Sequence, residues 1–596
     1  MTTSEPEVPE VGPSFRDLAL ARKGEGPVAD AWWAPAKRGR ELRTALLGAA
    51  CRQLWADAVA ADPASAAGGV ALGAVGSLGR GDIGPLSDLD LVVVYEGHGW
   101  NDQRRERLAR TLWYPIWDAG FDLDQSFRSL AECRRIASAD LPAATGLLSL
   151  APLAGDGELA GRAASAVLAD WRGAARKRLP ELVASVAERE DSFGHLAYRL
   201  EPDLKEARGG LRDAVTLDAV VASWLAEKPR RELDFEGARE YLLDVRDALQ
   251  RAARRHTNLL LMADQDQTAR ELDPYLTADQ LLTNLARAGR SVTYGLDTTL
   301  RRAVGNLPGR KALPAVFVRN RRQGPRLTPL APGLAELGGE IVFASAAAPA
   351  EDPLLALRAA RVAAPTGLAF EPLTALGLRD CPPPPEPWPA EARAQLGAFL
   401  ASGEAIVPVW EALDQAGLIV RLWPEWTAVR NLVQRNPLHR HTVDRHQVEA
   451  AALLAGLDLG VAPPALTAVA ALFHDLGKRP GERDHPALGA LLARPLFARM
   501  GYSPGDAAYM TTLIRHHLTL AQLATSRDPS DPETVAALLE ALDGRLELLD
   551  GLAALTEADA QAAGPKAWSR QRAALVRQLA ASARRALAPG APKRRD

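Results

Sequence analysis

Cysteine and aromatic residues are scarce in this 596-residue sequence. The three cysteines, Cys51, Cys133 and Cys381, lie far apart and form no Cys-x-x-Cys pair. The sequence therefore predicts no disulfide framework and favours a reducing compartment. Aromatic side chains make up only 5% of the residues. The core must then come mostly from Ala, Leu and Val, a composition that favours helices over sheets.

An excess of charge and a long apolar run are also missing. Basic residues number 71 and acidic residues 74, for a formal net charge of −3, so no strong field attracts nucleic acid or an anionic membrane. The first 13 residues are acidic and contain proline, unlike a signal peptide. The most apolar stretch, residues 451–473, is broken by Asp458 and Pro463-Pro464, which indicates two core helices. We expect a cytoplasmic protein without a membrane or nucleic-acid partner.

A pair of acidic residues stands at the start of an apolar, strand-like segment. Asp88 and Asp90 lead into residues 91–95. Residues two apart on a strand point to the same face, so these carboxylates can hold two Mg²⁺ ions against a triphosphate. Nucleotidyl transfer of this kind usually needs a third acid from a neighbouring strand. Asp122 and Asp124 share one face of a second strand-like segment, and either could serve.

A glycine-rich turn precedes this acidic pair. Gly76 and Gly79 let the backbone approach a ligand closely, and Ser77 can donate a hydrogen bond to a phosphate oxygen. Arg80 can stabilise negative charge on a leaving pyrophosphate. An Asp-x-Asp pair alone is common and can be a solvated strand edge. Joined to this turn, it favours a nucleotidyltransferase site.

Histidine is concentrated in one segment of the sequence. Seven of the ten histidines fall between residues 439 and 517. His474 and Asp475 are adjacent at the end of an apolar helical pattern, and together they can offer one nitrogen and one oxygen to a metal such as Mn, Fe or Zn. His439 and His441 could be surface residues of a loop, and one of the neighbouring pair at 516 and 517 could point elsewhere. The candidate metal ligands are His446, His474, Asp475, His485, His516, His517 and Asp559.

With both candidate sites in one chain, the sequence resembles the bifunctional uridylyltransferase/uridylyl-removing enzymes, which modify the PII nitrogen-signalling protein. The family pattern places the third acid of the first site on Asp122. It also includes a signature at residues 201–217, which is either a helix-capping turn or a loop that faces the active site. The segments that carry the resemblance are residues 76–95, 112–133, 201–217, 416–426, 441–450, 472–490, 514–518 and 555–568.

The resemblance implies a mostly helical α+β protein with two opposed activities. One site would transfer UMP from UTP to PII with Mg²⁺, and the other, an HD phosphohydrolase site, would remove the nucleotide with Mn²⁺ or another divalent metal. AMP transfer from ATP, a non-catalytic regulatory homologue and a transferase for a small molecule are the alternatives. The expected divisions are a disordered or irregular N-terminus (1–37), a polymerase-beta-like α/β nucleotidyltransferase domain (38–140), a helical linker domain with the signature (141–305), an irregular linker with helices (306–430), an all-α HD domain (431–587) and a tail (588–596).

Family members usually continue into two ACT domains that sense glutamine. Here 28 residues follow Trp568, which is too few for one such domain. We therefore expect that glutamine does not switch the two activities through that module.

Overall fold

The computed structural model describes residues 12–64, 68–307, 317–318, 321–322, 327–436 and 438–588. The chain divides into two compact units, and each is described by itself. The first unit comprises Met1–Ala197 and Glu201–Leu307, and the second comprises Tyr198–Leu200 and Pro308–Asp596. The predicted mostly helical α+β fold is confirmed. The expectations for residues 1–11 and 589–596 lie outside the described residues.

The described part of the first unit contains twelve helices and four strands. Its helices are α1 Phe15–Arg22, α2 Ala29–Trp33, α3 Ala36–Ala61, α4 Gly76–Arg80, α5 Asp102–Asp118, α6 Leu130–Ala139, α7 Leu141–Leu147, α8 Gly157–Phe193, α9 Leu211–Ala222, α10 Phe235–Ala253, α11 Met262–Leu272 and α12 Ala278–Gly305. Its strands are β1 Val70–Ala74, β2 Leu89–Tyr95, β3 Leu123–Ser129 and β4 Ala151–Gly155.

The four strands form one sheet in the order β3-β2-β1-β4. Strand β1 is antiparallel to both of its neighbours, whereas β2 and β3 are parallel. Valine and leucine dominate β2, and nearly all of its side chains are buried, as expected for a central strand covered on both faces. Because β2 is central and begins next to the acidic pair, the sheet fixes the position of those carboxylates.

The N-terminal residues from 12 to 37 are more regular than the sequence indicated. Helix α1 begins with a capping box in which Ser14 and Asp17 satisfy each other's backbone N–H groups. Phe15 and Leu18 of this helix are buried in the same core as Trp32 of α2. The prediction of a disordered or irregular segment was wrong there, because apolar residues of both helices pack into that core.

The division expected at residue 140 does not separate two units. Strand β4 lies beyond that boundary, yet it pairs with β1 and completes the sheet. Its sequence, APLAG, contains alanine, proline and glycine, which have little β-propensity. The pairing is therefore imposed by tertiary contacts, and the β-propensity of these residues did not predict it.

The second unit contains a small sheet followed by helices. Its strands are β5 Phe317–Val318, β6 Arg321–Arg322, β7 Thr328–Ala331, β8 Leu334–Leu337, β9 Glu340–Phe343 and β10 Ala369–Phe370. Its helices are α13 Leu355–Thr366, α14 Pro372–Gly377, α15 Ala390–Leu400, α16 Ile406–Gln415, α17 Ile419–Leu422, α18 Val443–Leu454, α19 Pro464–Phe473, α20 His485–Arg499, α21 Pro504–His516, α22 Thr519–Ser526, α23 Pro532–Ala541, α24 Leu546–Ala563 and α25 Arg570–Leu587.

The region expected to be an irregular linker carries an ordered sheet. Strands β10, β9, β8 and β7 lie side by side in that order. The proline-rich run at 382–389 has neither helix nor strand, but it is not a free linker. Trp388 is buried, and its backbone N–H donates to the carbonyl of Arg499 (3.0 Å).

From residue 443 onward the described chain is entirely helical, as expected for this region. Among the described residues, no single helix has the length and apolar composition needed to cross a membrane. The helix pair Ala390–Leu400 and Gly403–Gln415, bent by 111°, meets those criteria only when its two parts are taken together.

Candidate active sites

The glycine-rich turn of the first unit folds as the short helix α4 directly after β1. Gly76 has a φ of +60°, and a Cβ there would lie 2.0 Å from Asp90 Oδ2, so only glycine fits. At Gly79 a Cβ would lie 2.3 Å from the carbonyl oxygen of Ser149. The Ser77 hydroxyl is buried, lines a cavity and has no hydrogen-bond partner within the described chain. It is therefore available to a ligand.

Three carboxylates face this cavity from two parallel strands. Asp88 and Asp90 stand at the start of β2, and Asp124 lies opposite Asp90 in the register of β3. Burial, together with the charges of Asp88 and Asp124, raises the pKa of Asp90 to about 6, although Lys205 and Arg80 oppose this. Clustered acids of this kind are stabilised by divalent cations, so the donor set fits Mg²⁺.

The acid near the start of β3 that lines the cavity is not the one that the family pattern indicated. Asp122 precedes β3, and it is not among the residues that line the cavity. Its negative charge instead acts to raise the pKa of Arg22, against the effect of burial. Asp124 lies one pleat further along the same face and reaches the cavity. The geometry therefore favours Asp124 over Asp122, which the sequence alone left open.

The cavity has a volume of about 510 Å³, within the usual range for small-ligand sites. Besides the acids, it is lined by basic side chains from six elements or loops, which suits a polyanion such as a triphosphate. They are Arg80, Arg128, Lys205, Arg212, Arg239, Arg246 and His256. Arg239, Arg246 and His256 stand far from the glycine-rich turn in sequence, and no sequence motif indicated them.

The 201–217 signature contributes part of this lining and also folds as a tight turn. Lys205 and Arg212 line the cavity. Gly209 has a φ of +86°, and its N–H donates to Asp213 Oδ2 (2.8 Å). Arg208 is ion-paired with the same Asp213. Part of the signature therefore folds as the tight turn that leads into helix α9, and part of it lines the cavity.

The second candidate site lies among helices of the second unit. His446 stands on α18, His474 and Asp475 follow α19, His485 begins α20 and Asp559 lies on α24. A close approach of backbone brings two of these segments together. A Cβ on Gly477 would lie 2.1 Å from the carbonyl oxygen of His485, so the sharp turn after His474-Asp475 requires glycine.

The donor atoms of this cluster converge. His446 Nε2 lies 2.8 Å from Asp559 Oδ1, and His474 Nε2 lies 3.7 Å from the same oxygen. Asp475 Oδ2 is 3.4 Å from His474 Nε2, and Asp475 Oδ1 is 3.7 Å from His517 Nε2. Two overlapping sets could each hold a metal ion: His446 with His474 and Asp559, and His474 with Asp475 and His517.

Backbone carbonyls orient two of the imidazoles. The Nδ1 of His474 lies 2.7 Å from the Ala471 carbonyl oxygen, and that of His517 lies 2.8 Å from the Ile514 oxygen. An N–H at Nδ1 leaves each Nε2 as the lone pair that points into the cluster. His474 Nε2 and Asp475 Oδ1 are buried and form no hydrogen bond within the described chain. This donor set fits a divalent transition metal.

The electrostatics of the cluster agree with a cation site. Burial alone would lower the pKa of His474, but the carboxylates of Asp475 and Asp559 raise it to about 10. Burial lowers the pKa of His517 to about 4. Asp475 and Asp559 have pKa values well below the usual range despite their burial, since Lys478 and the imidazoles surround them. Both carboxylates are therefore charged and face inward.

The other histidines of this segment differ in their surroundings. His485 Nε2 lies 3.5 Å from Asp475 Oδ1, so it belongs to the cluster. His439 packs its ring against His446 with centroids 5.1 Å apart and is not a plain surface residue. His516 points elsewhere: its Nδ1 lies 3.3 Å from Thr519 Oγ1 and it belongs to neither donor set, so its expected ligand role finds no support in the geometry.

These two sites define a protein that combines a nucleotidyltransferase domain with an HD domain. The family model described as nucleotidyltransferase domain matches residues 61–142, and the HD domain model matches residues 443–555. A third model, described as GlnD PII-uridylyltransferase, matches residues 177–222, which include the signature.

Curated relatives match most of the chain. The bifunctional uridylyltransferase/uridylyl-removing enzymes of Streptomyces coelicolor, Mycobacterium tuberculosis and Corynebacterium glutamicum are 48%, 41% and 35% identical over 86%, 88% and 84% of this chain. The chain spans 61%, 64% and 70% of the lengths of those relatives. It belongs to the family of bifunctional uridylyltransferase/uridylyl-removing enzymes, as its motifs predicted.

Proposed function

We propose that the first unit transfers UMP from UTP to a PII signal-transduction protein and that the HD domain removes it again. The observation that carries this proposal is the presence, in one chain, of two separate clusters of metal-binding donors, each with the chemistry of one direction. Membership of a family whose relatives are named for both activities supports it. Neither site shares a residue with the other.

In the transfer reaction, a nucleophilic oxygen of the acceptor protein attacks the α-phosphorus of UTP, and pyrophosphate leaves. Asp88, Asp90 and Asp124 would hold Mg²⁺, which would supply electrostatic stabilisation of the phosphates. The buried hydroxyl of Ser77 donates to a phosphate oxygen. Arg80 stabilises the charge that develops on the departing pyrophosphate.

In the removal reaction, water attacks the phosphorus of the phosphodiester and the acceptor oxygen leaves with a proton. The cluster around His474 and Asp475 would hold Mn²⁺ or another divalent metal, which would supply Lewis acidity and activate the water. Lys478 lies 2.6 Å from Asp475 Oδ2 and donates to Gln434 Oε1 (2.7 Å), so it orients that carboxylate.

Transfer of AMP from ATP is the second candidate, since none of the motifs identifies the nucleobase. A direct measurement is needed to distinguish UMP transfer from AMP transfer. The purified chain is incubated with PII and either UTP or ATP in the presence of Mg²⁺, and the intact mass of PII is read by mass spectrometry. An added UMP supports the proposal and an added AMP supports the alternative. No added mass from either nucleotide would contradict transfer to PII.

Removal is tested on PII that already carries the nucleotide. The chain is added with Mn²⁺ and without nucleoside triphosphate, and the return of PII to its unmodified mass is followed. Modified PII that stays unchanged at full metal loading would contradict the role proposed for the HD domain.

A further inference from the structure

The segment between the glycine-rich turn and the acidic pair, residues 82–86, is held by side chains from distant helices. Arg246 of α10 donates to the Asp82 carbonyl (2.6 Å), and Arg43 of α3 donates to the Ile83 carbonyl (3.1 Å). Gln250 Oε1 accepts a hydrogen bond from the N–H of Leu86 (3.0 Å). Three backbone groups of one short segment are thus fixed from outside.

One carboxylate organises both arginines. Asp247 Oδ2 lies 2.5 Å from Arg43 Nη2, and Asp247 Oδ1 accepts from Arg246 Nη2 (2.7 Å). The side chains of Asp247 and Arg43 are fully buried, and that of Arg246 is 7% exposed. A buried carboxylate that loses its charge would leave two buried guanidinium groups without compensation, which is costly and frees them to move.

The fit between α10 and this segment is close. A Cβ on Gly84 would lie 2.7 Å from Gln250 Oε1 and 3.1 Å from Arg246 Nε. The segment ends at Leu86, two residues before Asp88, so a shift of its backbone moves the first carboxylate of the pair. Metal sites tolerate little displacement of their donors.

We propose that Asp247 is a positioning residue of the transferase site, which acts through Arg43 and Arg246 to fix residues 82–86 and hence Asp88. It stands outside the segment matched by the nucleotidyltransferase model, so the helical part of the first unit completes that site. The proposal rests on the proposed transfer function, because the readout is the binding of UTP with Mg²⁺.

The test compares Asp247→Asn with Asp244→Asn on the same helix. Asp244 pairs with Arg40 (2.6 Å), which also lies 3.6 Å from Asp247. The Asp244 side chain is 28% exposed and makes no contact with either arginine that holds residues 82–86 in the described chain. Binding of UTP at fixed Mg²⁺ is measured by calorimetry, and hydrogen exchange of residues 82–88 is measured by mass spectrometry. Removal of the carboxylate charge should weaken UTP binding about 10–100-fold, the usual effect of losing such an outer partner. Exchange of residues 82–88 should rise in parallel, and excess Mg²⁺ should recover part of the binding.

Gln250→Met provides a second variant in case Asp247→Asn does not fold. It removes only the acceptor of the Leu86 N–H and should shift binding and exchange in the same direction by a smaller factor. Asp244→Asn should leave both unchanged. Unaltered UTP binding in folded Asp247→Asn, or lower thermal stability with normal binding per folded molecule, would overturn the positioning role. A wild-type chain that binds no nucleotide would instead contradict the proposed function.

Discussion

The two candidate sites are built in opposite ways. The donors of the transferase site come mainly from the beginnings of two parallel strands and a short turn, and they line an open cavity. The donors of the HD site come from several helices and are mostly buried: His474 is fully enclosed, whereas the Asp559 side chain is 19% exposed. The first site suits a metal that arrives with its nucleotide, whereas the second suits a metal that stays with the protein.

The charged groups that surround the carboxylates also differ between the two sites. Around Asp90, basic side chains from distant parts of the first unit line the cavity. Four of them are ion-paired with acids other than Asp90: Arg80, Arg212, Arg239 and Arg246. Around Asp475, the counter-charges are the imidazoles and Lys478, which contact the carboxylate directly. The comparison leads us to expect that the two proposed activities depend on separate residues and can be removed one at a time.

The largest expected effect is the loss of transfer in Asp88→Asn plus Asp90→Asn. Without the paired carboxylates the divalent metal and the triphosphate are not held, so transfer should fall by about 10⁴-fold or more. Removal should stay within about twofold. Both rates are read from the mass of PII. Asp102→Asn, on a side chain that is 96% exposed, is the control. Transfer close to the wild-type rate in the double variant would mean that the site is elsewhere.

The next largest effect is expected from Asp475→Ala at the HD site. Loss of a charged, buried donor should lower removal by about 10³-fold, since activation of water depends on the cation. Metal content, measured by elemental analysis of the purified protein, should fall with it, while transfer continues. His516→Ala is the matched control, because His516 lies in the same region but outside the donor sets. A metal-free protein with full removal activity would show that the cluster has only a structural role.

A smaller effect is expected at Asp124, and it should distinguish this acid from Asp122. Asp124→Asn should lower kcat for transfer by about 10²-fold, because Asp124 faces the cavity beside Asp90. Asp122→Asn should change it by less than about threefold, as for other exposed side chains. Steady-state kinetics of UTP consumption provide the measurement. The reverse order would restore the assignment that the family pattern suggested.

The smallest expected effect belongs to Lys205→Met. This ammonium lines the cavity and has no ion pair within the described chain, so it is available to the triphosphate. Its loss should raise KM for UTP about 10-fold, as expected for one charge-assisted contact. Lys228→Met is the control, because Lys228 is half-exposed and paired with Glu236. An unchanged KM would show that Lys205 affects only the pKa of Asp90 and does not contact the triphosphate.

The transferase motif could be found from the sequence because its parts are local. Gly76, Ser77, Asp88 and Asp90 lie within 15 residues, and strand alternation alone places the two acids on one face. The basic lining could not be found in this way. Arg239 and Arg246 reach the cavity only because α10 packs against the turn, and nothing in their local sequence indicates it.

The HD site shows the limit of spacing arguments. The order of histidines and aspartates identified the cluster, but it could not decide between His516 and His517. In the structure, α21 ends at His516 and the chain then turns, so that His517 enters the core and His516 does not. Strand β4 was missed for a related reason, since tertiary pairing overrides the weak β-propensity of its residues.

The independence of the two sites is tested most directly by mixing the single-site variants. PII and UTP are incubated with Asp475→Ala until PII is modified, the nucleotide is removed by desalting, and the Asp88→Asn plus Asp90→Asn variant is then added with Mn²⁺. The account predicts that the intact mass of PII rises by one UMP in the first step and returns to its starting value in the second. A variant that lacks both directions, or PII that keeps its nucleotide in the second step, would contradict two separate sites with opposed activities.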